Sequence, residues 1–268
     1  MNILILGDIM GIPGRKALSQ NLNTIIQDKK IDFTIVNGEN AADDGKGITE
    51  EIANEFFNCG VDVITSGNHI WDKSGAAELI LKEKRLLRPA NFAEGSPGAG
   101  YNIFLSKNKK YKIAVINLMG NVFMRKTDDV FKAAINFQEK IKLKENSDFI
   151  VVDFHGETTS EKMAIGHLFD GKATAVVGTH THVPTADTRI LKNGTAYQTD
   201  IGMCGDYDSV IGMNKENSIK KFLKDKKAIN HFPADGEATL AGIIVKASEK
   251  SGLANTVERF VSGGTLKK

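Results

Sequence analysis

The sequence predicts an α/β fold, in a single domain spanning residues 1–268, from two observations. Short apolar runs rich in Ile and Val recur along the chain, and stretches of helical period separate them. A buried strand reads as an unbroken apolar run, whereas a helix lying on a sheet shows apolar residues three and four apart. Their alternation is what strands covered by helices require.

The elements follow in order. A run at residues 3–6 precedes Leu18, Leu22, Ile25 and Ile26, which share one helical face after Pro13-Gly14. A second run at 33–36 precedes Ile52, Phe56 and Phe57, a helical stripe that opens after the capping-type residue Thr49. A third run lies at 61–64. The lysine-rich segment 107–112 reads as a solvated hairpin turn leading into the run at 113–116. Phe131, Ala134, Ile135, Gln138 and Ile141 repeat at helical spacing, and the runs at 149–152 and 173–177 come next. From about Pro184 the runs at 195–199 and 239–245 are joined by turns containing Gly and Asn and read as antiparallel strands. On the residues alone, the expectation is one sheet extended by antiparallel strands in the C-terminal third. No repeat, low-complexity tract or linker divides the chain.

Composition narrows the function classes. With 41% apolar and 25% charged residues, the chain has the balance of a soluble globular protein. A net charge of +2 argues against a basic groove for nucleic acid, so no DNA partner is expected, although a small nucleotide remains open as a ligand. Cys59 and Cys204 lie too far apart to pair as metal ligands and read as reduced, buried thiols. The apolar start reaches Asp8 before a signal-peptide core could form, and no run approaches the ~20 residues of a membrane span. A cytoplasmic protein without a membrane partner is expected; homo-oligomerisation is left open.

The chemistry lies just beyond the apolar runs. The first ends in Gly7-Asp8, the second in Asn37-Gly38-Glu39-Asn40, and the third in Gly67-Asn68-His69. The run at 149–152 ends in Asp153-Phe154-His155, and the run at 173–177 leads to His180-Thr181-His182. The carboxyl ends of parallel strands share one edge, where ligands bind, so these distant residues converge. Taken singly, Asp8 suits a strand-end turn, Glu39-Asn40 a loop, Gly67-Asn68 a left-handed turn and His155 a buried imidazole. All of these readings would have to hold at once. Carboxylate, carboxamide and imidazole donors without thiolate suit Mn, Fe or Zn, and do not suit a structural zinc site. Residues two apart in an extended chain face one side, so His180 and His182 are expected to point into the crevice together, one toward each of two metals that Glu39 can bridge. Alternative chemistries lack their motifs. Gly7, Gly11 and Gly14 do not have dinucleotide spacing, no P-loop lysine follows them, and there is no Gly-x-Ser-x-Gly elbow. Trp71 suits either base stacking or packing beneath the loop.

These segments resemble the calcineurin-like metallophosphoesterases, and more closely their bacterial YmdB-type branch of 2′,3′-cyclic-nucleotide 2′-phosphodiesterases. The resemblance rests on Gly7-Asp8, residues 37–42, residues 67–73, residues 88–92, residues 153–157, residues 159–162, residues 177–183 and residues 199–203, and so covers nearly the whole chain. The wider superfamily has Asp-x-His where this chain has Met10 in the third position, and a bridging Asp where this chain has Glu39. The resemblance implies a four-layer α-β-β-α sandwich with two divalent or trivalent metal ions, Fe or Mn ahead of Zn. Asp8, Glu39, Asn40 and His182 would hold one ion; Glu39, Asn68, His155 and His180 would hold the other. His69 would act as general acid while a metal-bound hydroxide attacks phosphorus. The competing expectations are a phosphatase or phosphodiesterase for RNA ends or phosphoproteins, and a nucleotide-binding regulator with little turnover.

Overall fold

In the computed structural model, which describes residues 1–266, the buried strands sort their side chains by parity. Along β1 (Asn2–Ile9), β2 (Phe33–Asn37) and β3 (Val63–Thr65), Ile3, Ile5, Phe33, Ile35 and Val63 enter one apolar cluster, while Leu4, Leu6, Val36 and Ile64 enter another. The first cluster also receives Ile113 and Val115 of β5 (Lys112–Met119), Phe149 and Val151 of β6 (Phe149–His155), and Ala175 and Val177 of β7 (Ala175–Thr179). It is the core between two sheets. The second cluster takes Leu18 and Leu22 of α1 (Gly11–Asp28), Ile52 and Phe56 of α2 (Glu50–Asn58), and Leu79 and Ile80 of α3 (Ala76–Lys82). On the far side, Ala114, Ile116, Ile150 and Val152 meet Val130 and Ala134 of α4 (Val130–Lys140) and Ile165 of α5 (Thr159–Leu168). The layers therefore run helices, sheet, sheet, helices, the sandwich that the resemblance implies.

The first sheet has the order β12-β11-β10-β1-β2-β3, with β10 at Met203–Asp206, β11 at Ala238–Ala247 and β12 at Ala254–Ser262. The second has the order β4-β5-β6-β7-β9-β8, with β4 at Tyr101–Leu105, β8 at Arg189–Ile190 and β9 at Ala196–Gln198. The single sheet expected from the runs alone is thus incorrect. A strand apolar on both faces reveals that both are covered, but not that the cover on one side is a second sheet. The C-terminal strands also divide differently from expectation. The run at 239–245 lies in β11, antiparallel to β1 and β12 as predicted, whereas β9 is antiparallel to β8 but parallel to β7, and β10, which no run marked, is parallel to β1. Each joins a different sheet.

Local signals carry over well. Segment 107–112 does link the antiparallel strands β4 and β5. The Thr49 hydroxyl accepts the Ile52 N–H at 3.4 Å and caps α2. Helix α1 begins at Gly11, ahead of Pro13, which the first turn tolerates because its nitrogen needs no intrahelical partner. Both cysteines are free and buried. No helix among the described residues is long and apolar enough to cross a membrane.

One irregularity positions the site. Between Leu6 and Asp8 the pairing of β1 with β2 slips, so that Leu6 lies opposite Val36 and Asp8 opposite Asn37. Such a bulge reverses side-chain parity. Strict alternation would send Asp8 to the helix side with Leu4 and Leu6. Instead Ile9 occupies that side, and the Asp8 carboxylate turns in between the sheets.

Candidate metal centre

A polar floor separates the inter-sheet core from the open edge above it. Continued alternation brings Asn37, Thr65, Asp153 and Thr179 inward from β2, β3, β6 and β7. Asp153 accepts hydrogen bonds from Thr65 Oγ1, from Thr179 Oγ1 at 2.7 Å and from Asn37 Nδ2 at 3.1 Å. Burial raises the Asp153 carboxyl above its usual range despite these donors. Because the Thr179 hydroxyl donates to Asp153, it accepts from His155 Nδ1 at 3.0 Å. That bond turns Nε2 of His155 toward the open edge.

The predicted residues gather above this floor. His155 Nε2 lies 3.0 Å from Glu39 Oε1, 3.1 Å from Asn68 Oδ1 and 3.1 Å from His180 Nδ1. Glu39, His155 and His180 each offer a ligand atom within 4.8 Å of the others. A second group forms beside it, where His182 Nε2 faces Asn40 Oδ1 at 3.2 Å. Asp8 lies next to both imidazole groups. Its Oδ2 accepts the His180 N–H at 3.1 Å, and its Oδ1 is 3.7 Å from His155 Nδ1. The oxygen donors Asp8, Glu39, Asn40 and Asn68 come from the ends of first-sheet strands. The imidazoles of His155, His180 and His182 come from the second sheet.

The donor set fits metal ions. Asp8 Oδ1 is buried without a hydrogen-bond partner, which is costly unless a cation meets it. The amide of Asn40 donates to the Gly45 carbonyl at 2.9 Å, which aims its oxygen at His182. His182 in turn donates from Nδ1 to the Ile211 carbonyl at 2.7 Å, leaving the Nε2 lone pair facing that oxygen. In that tautomer two acceptors face each other, and a cation between them would satisfy both. Gly67 is part of the same cradle, because a Cβ there would overlap the Glu39 carboxylate and the His155 ring.

The electrostatics agree. Burial pushes the Asp8 carboxyl up to about 6. Burial would also raise Glu39, but the neighbouring His155 imidazole outweighs it and holds the carboxyl down at about 2. Burial would lower His155, but the Glu39 carboxylate lifts it to about 9. Burial, reinforced by the His155 charge, drives His180 down to about 3. In the metal-free chain a proton on His155 thus serves as the counter-charge, and a bound cation would replace it.

Asn68 and His69 diverge as their adjacency predicts. While Asn68 faces His155, His69 Nδ1 pairs with Asp72 Oδ2 at 2.7 Å and the His69 N–H donates to Glu39 Oε2 at 3.0 Å. The expectation that His180 and His182 share a face through extended chain is incorrect. Strand β7 ends at Thr179, and both histidines adopt left-handed backbone, with φ of 99° and 67°. Trp71 packs against Phe92, with ring centroids 6.0 Å apart. Sequence reasoning missed the floor residues, although a carboxylate at Asp153 inside an apolar run was a readable signal. It also missed Glu157, whose Oε2 lies 3.1 Å from His180 Nε2, and the buried pair Lys162–Asp200. These residues fall within segments that carry the resemblance, residues 153–157, 159–162 and 199–203, but nothing in their spacing assigns them a role.

The layered fold with this centre at its open edge defines the class: a calcineurin-like metallophosphoesterase fold. Comparison with known proteins gives the family. The pattern of the YmdB-like protein family matches residues 4–260, and the chain belongs to that family. A Bacillus subtilis protein named 2′,3′-cyclic-nucleotide 2′-phosphodiesterase is 45% identical over 262 residues, covering 97% of each chain. The crystal structure of a novel phosphatase from Mycoplasma pneumoniae superposes with a TM-score of 0.89 at 35% identity, over 98% of this chain and 93% of that one. The sulfate thiohydrolase SoxB of Thermus thermophilus shares the fold at 13% identity, with a TM-score of 0.55 over 94% of this chain and 43% of that one.

Proposed function

We propose that residues 1–268 form one catalytic domain, a metal-dependent phosphodiesterase that opens 2′,3′-cyclic nucleotides at the bond to O2′. Two first-row ions, iron or manganese ahead of zinc, would be held by Asp8, Glu39, Asn40, Asn68, His155, His180 and His182. The observation that carries this reading is the buried, orphaned Asp8 Oδ1 beside the gathered ligand atoms of Glu39, His155 and His180. The activity named for the Bacillus subtilis relative supports the choice of substrate. Donors of oxygen and imidazole type without thiolate support the choice of metals.

When bound, the ions would supply an activated water and neutralise charge on the phosphoryl oxygens. Glu39, whose Oε1 faces His155 Nε2 at 3.0 Å, would serve both ions with one carboxylate. His180 is oriented from behind by Glu157, and His182 by the Ile211 carbonyl, so each imidazole presents a fixed nitrogen. His69 has a different task. Asp72 holds its Nδ1, which leaves Nε2 to pass a proton to O2′ as the P–O2′ bond breaks and the water oxygen bonds to phosphorus. The product is a 3′-nucleotide.

Elemental analysis of freshly purified protein tests the centre, and a turnover screen with added Mn²⁺ and Fe²⁺ tests the reaction. Close to two first-row ions per chain and faster turnover of 2′,3′-cyclic nucleotides than of 3′,5′-cyclic nucleotides or phosphomonoesters are expected. Protein free of transition metal and not activated by Mn²⁺ would overturn the dinuclear centre. Faster turnover of monoesters would assign a phosphatase instead.

A further inference from the structure

The His180-Thr181-His182 turn holds two non-glycine residues at positive φ within three positions. L-residues visit that region reluctantly, and the 99° of His180 lies outside even the left-handed helical well. Such backbone persists only where its surroundings enforce it. Asp200 makes the contacts at the centre of the turn. Its Oδ2 accepts both the Thr181 N–H at 3.1 Å and the Thr181 hydroxyl at 2.8 Å, gripping the residue between the two histidines. Its Oδ1 accepts the Gly202 N–H at 2.8 Å, and the Gly202 carbonyl accepts the Asp8 N–H at 3.3 Å. One carboxylate thus ties the imidazole turn of the second sheet to the Asp8 strand of the first.

A carboxylate can serve all of these donors only while its rotamer is fixed. Lys162 fixes it. Its Nζ donates to Asp200 Oδ2 at 2.7 Å, and both side chains are 1% exposed. Lys162 belongs to α5, in the outer helix layer. Its stem reaches Asp200 past Gly178 in β7, where a Cβ would strike the Lys162 side chain and the Thr199 carbonyl. Buried ion pairs are poor stabilisers compared with apolar groups of similar shape, so this pair's value to the fold is not its evident use. We propose that Lys162 and Asp200 are positioning residues, which hold the strained turn so that His180 and His182 present their nitrogens to the metal ions. The inference rests on the metal-centre reading above.

The test compares Mn²⁺ affinity, by chelator competition, with the thermal stability of metal-free protein. The double variant Lys162→Met/Asp200→Asn is near-isosteric and removes both charges. Its melting temperature is expected at or above that of the wild type, with Mn²⁺ bound roughly 10–100-fold more weakly and kcat, but not KM, reduced. Thr181→Val, which keeps the ion pair and deletes one grip on Asp200, should shift affinity the same way by a smaller factor and serves alone if the double variant does not fold. Wild-type Mn²⁺ affinity in a folded double variant would overturn the inference, as would wild-type affinity in Thr181→Val. A wild-type protein that binds no Mn²⁺ would instead overturn the metal centre itself.

Discussion

Replacing Asp8 by Asn should stabilise the metal-free protein while destroying its capacity to hold metal. The carboxyl is fully buried, one oxygen has no partner, and burial lifts it from 3.8 to about 6. A shift of about two units corresponds to roughly 3 kcal/mol of differential cost between folded and unfolded chains. Because the folded value is the raised one, the cost is absent below about pH 4, where both states carry the proton. It grows between about 4 and 6 and is fully present above. Asparagine keeps an acceptor for the His180 N–H and places no charge there, so at pH 7.5 the chelated variant should gain up to about 2–3 kcal/mol. For a chain of this size that is roughly 5–10 °C in Tm. Differential scanning calorimetry of chelated wild type and variant at pH 7.5 and pH 4 measures it. With Mn²⁺ added the ranking should reverse, because only the wild type gains binding free energy. An equal gain at both pH values, or a loss at pH 7.5, would refute burial of an unpaired carboxylate as the cause.

Glu39→Gln keeps shape but removes the charge shared by both groups, so metal affinity and turnover should fall together by more than ~10²-fold; near-normal activity would reduce Glu39 to a loop residue. His69→Ala should leave metal content intact and lower turnover by roughly 10²-fold or more, with a smaller loss for a nitrophenyl ester whose leaving group needs no proton. Loss of metal in that variant would move His69 into the ligand set. Gly67→Ala places a methyl group on Glu39 and His155, so protein with native circular dichroism but no bound metal is expected. Metal loading at pH 7.5 should release about one proton, from His155, whose folded value is about 9, and at pH 5 also that of Asp8, whose value is about 6. Affinity should therefore rise with pH up to about 9. Calorimetry in buffers of different ionisation enthalpy reads the proton count, and release of none would contradict the His155–Glu39 pair.

Much of this molecule was legible before its structure. Apolar runs locate β1, β2, β5, β6 and β7, since a strand covered on both faces can hardly be composed otherwise. The polar residues beyond them are the ones that gather at the open edge. What escaped has a common physical origin in backbone irregularity and long-range pairing. The run at 61–64 forms strand only from Val63. The slip at Gly7 that turns Asp8 inward leaves the apolar pattern of residues 3–6 untouched, so no count of alternation could reveal it. The positive φ of His180 and His182 was invisible because neither residue is glycine, and extended chain was the reasonable default. Lys162 is buried although it is a lysine on an outer-layer helix. Its burial depends on a gap at Gly178 in a strand that the sequence does not connect to it.

The division of donors between the sheets gives any bound cation a second part to play. Oxygen comes from one layer and nitrogen from the other, and at this edge the apolar core has given way to polar side chains. An ion here would work as a clasp, closing the mouth of a book whose spine is the inter-sheet core. Neither cover can grip it alone, so occupancy reports on the spacing between the covers as directly as on the ligands themselves. A core substitution far from the chemistry, at Val151 or Ile243, could then loosen the clasp without touching a single donor atom.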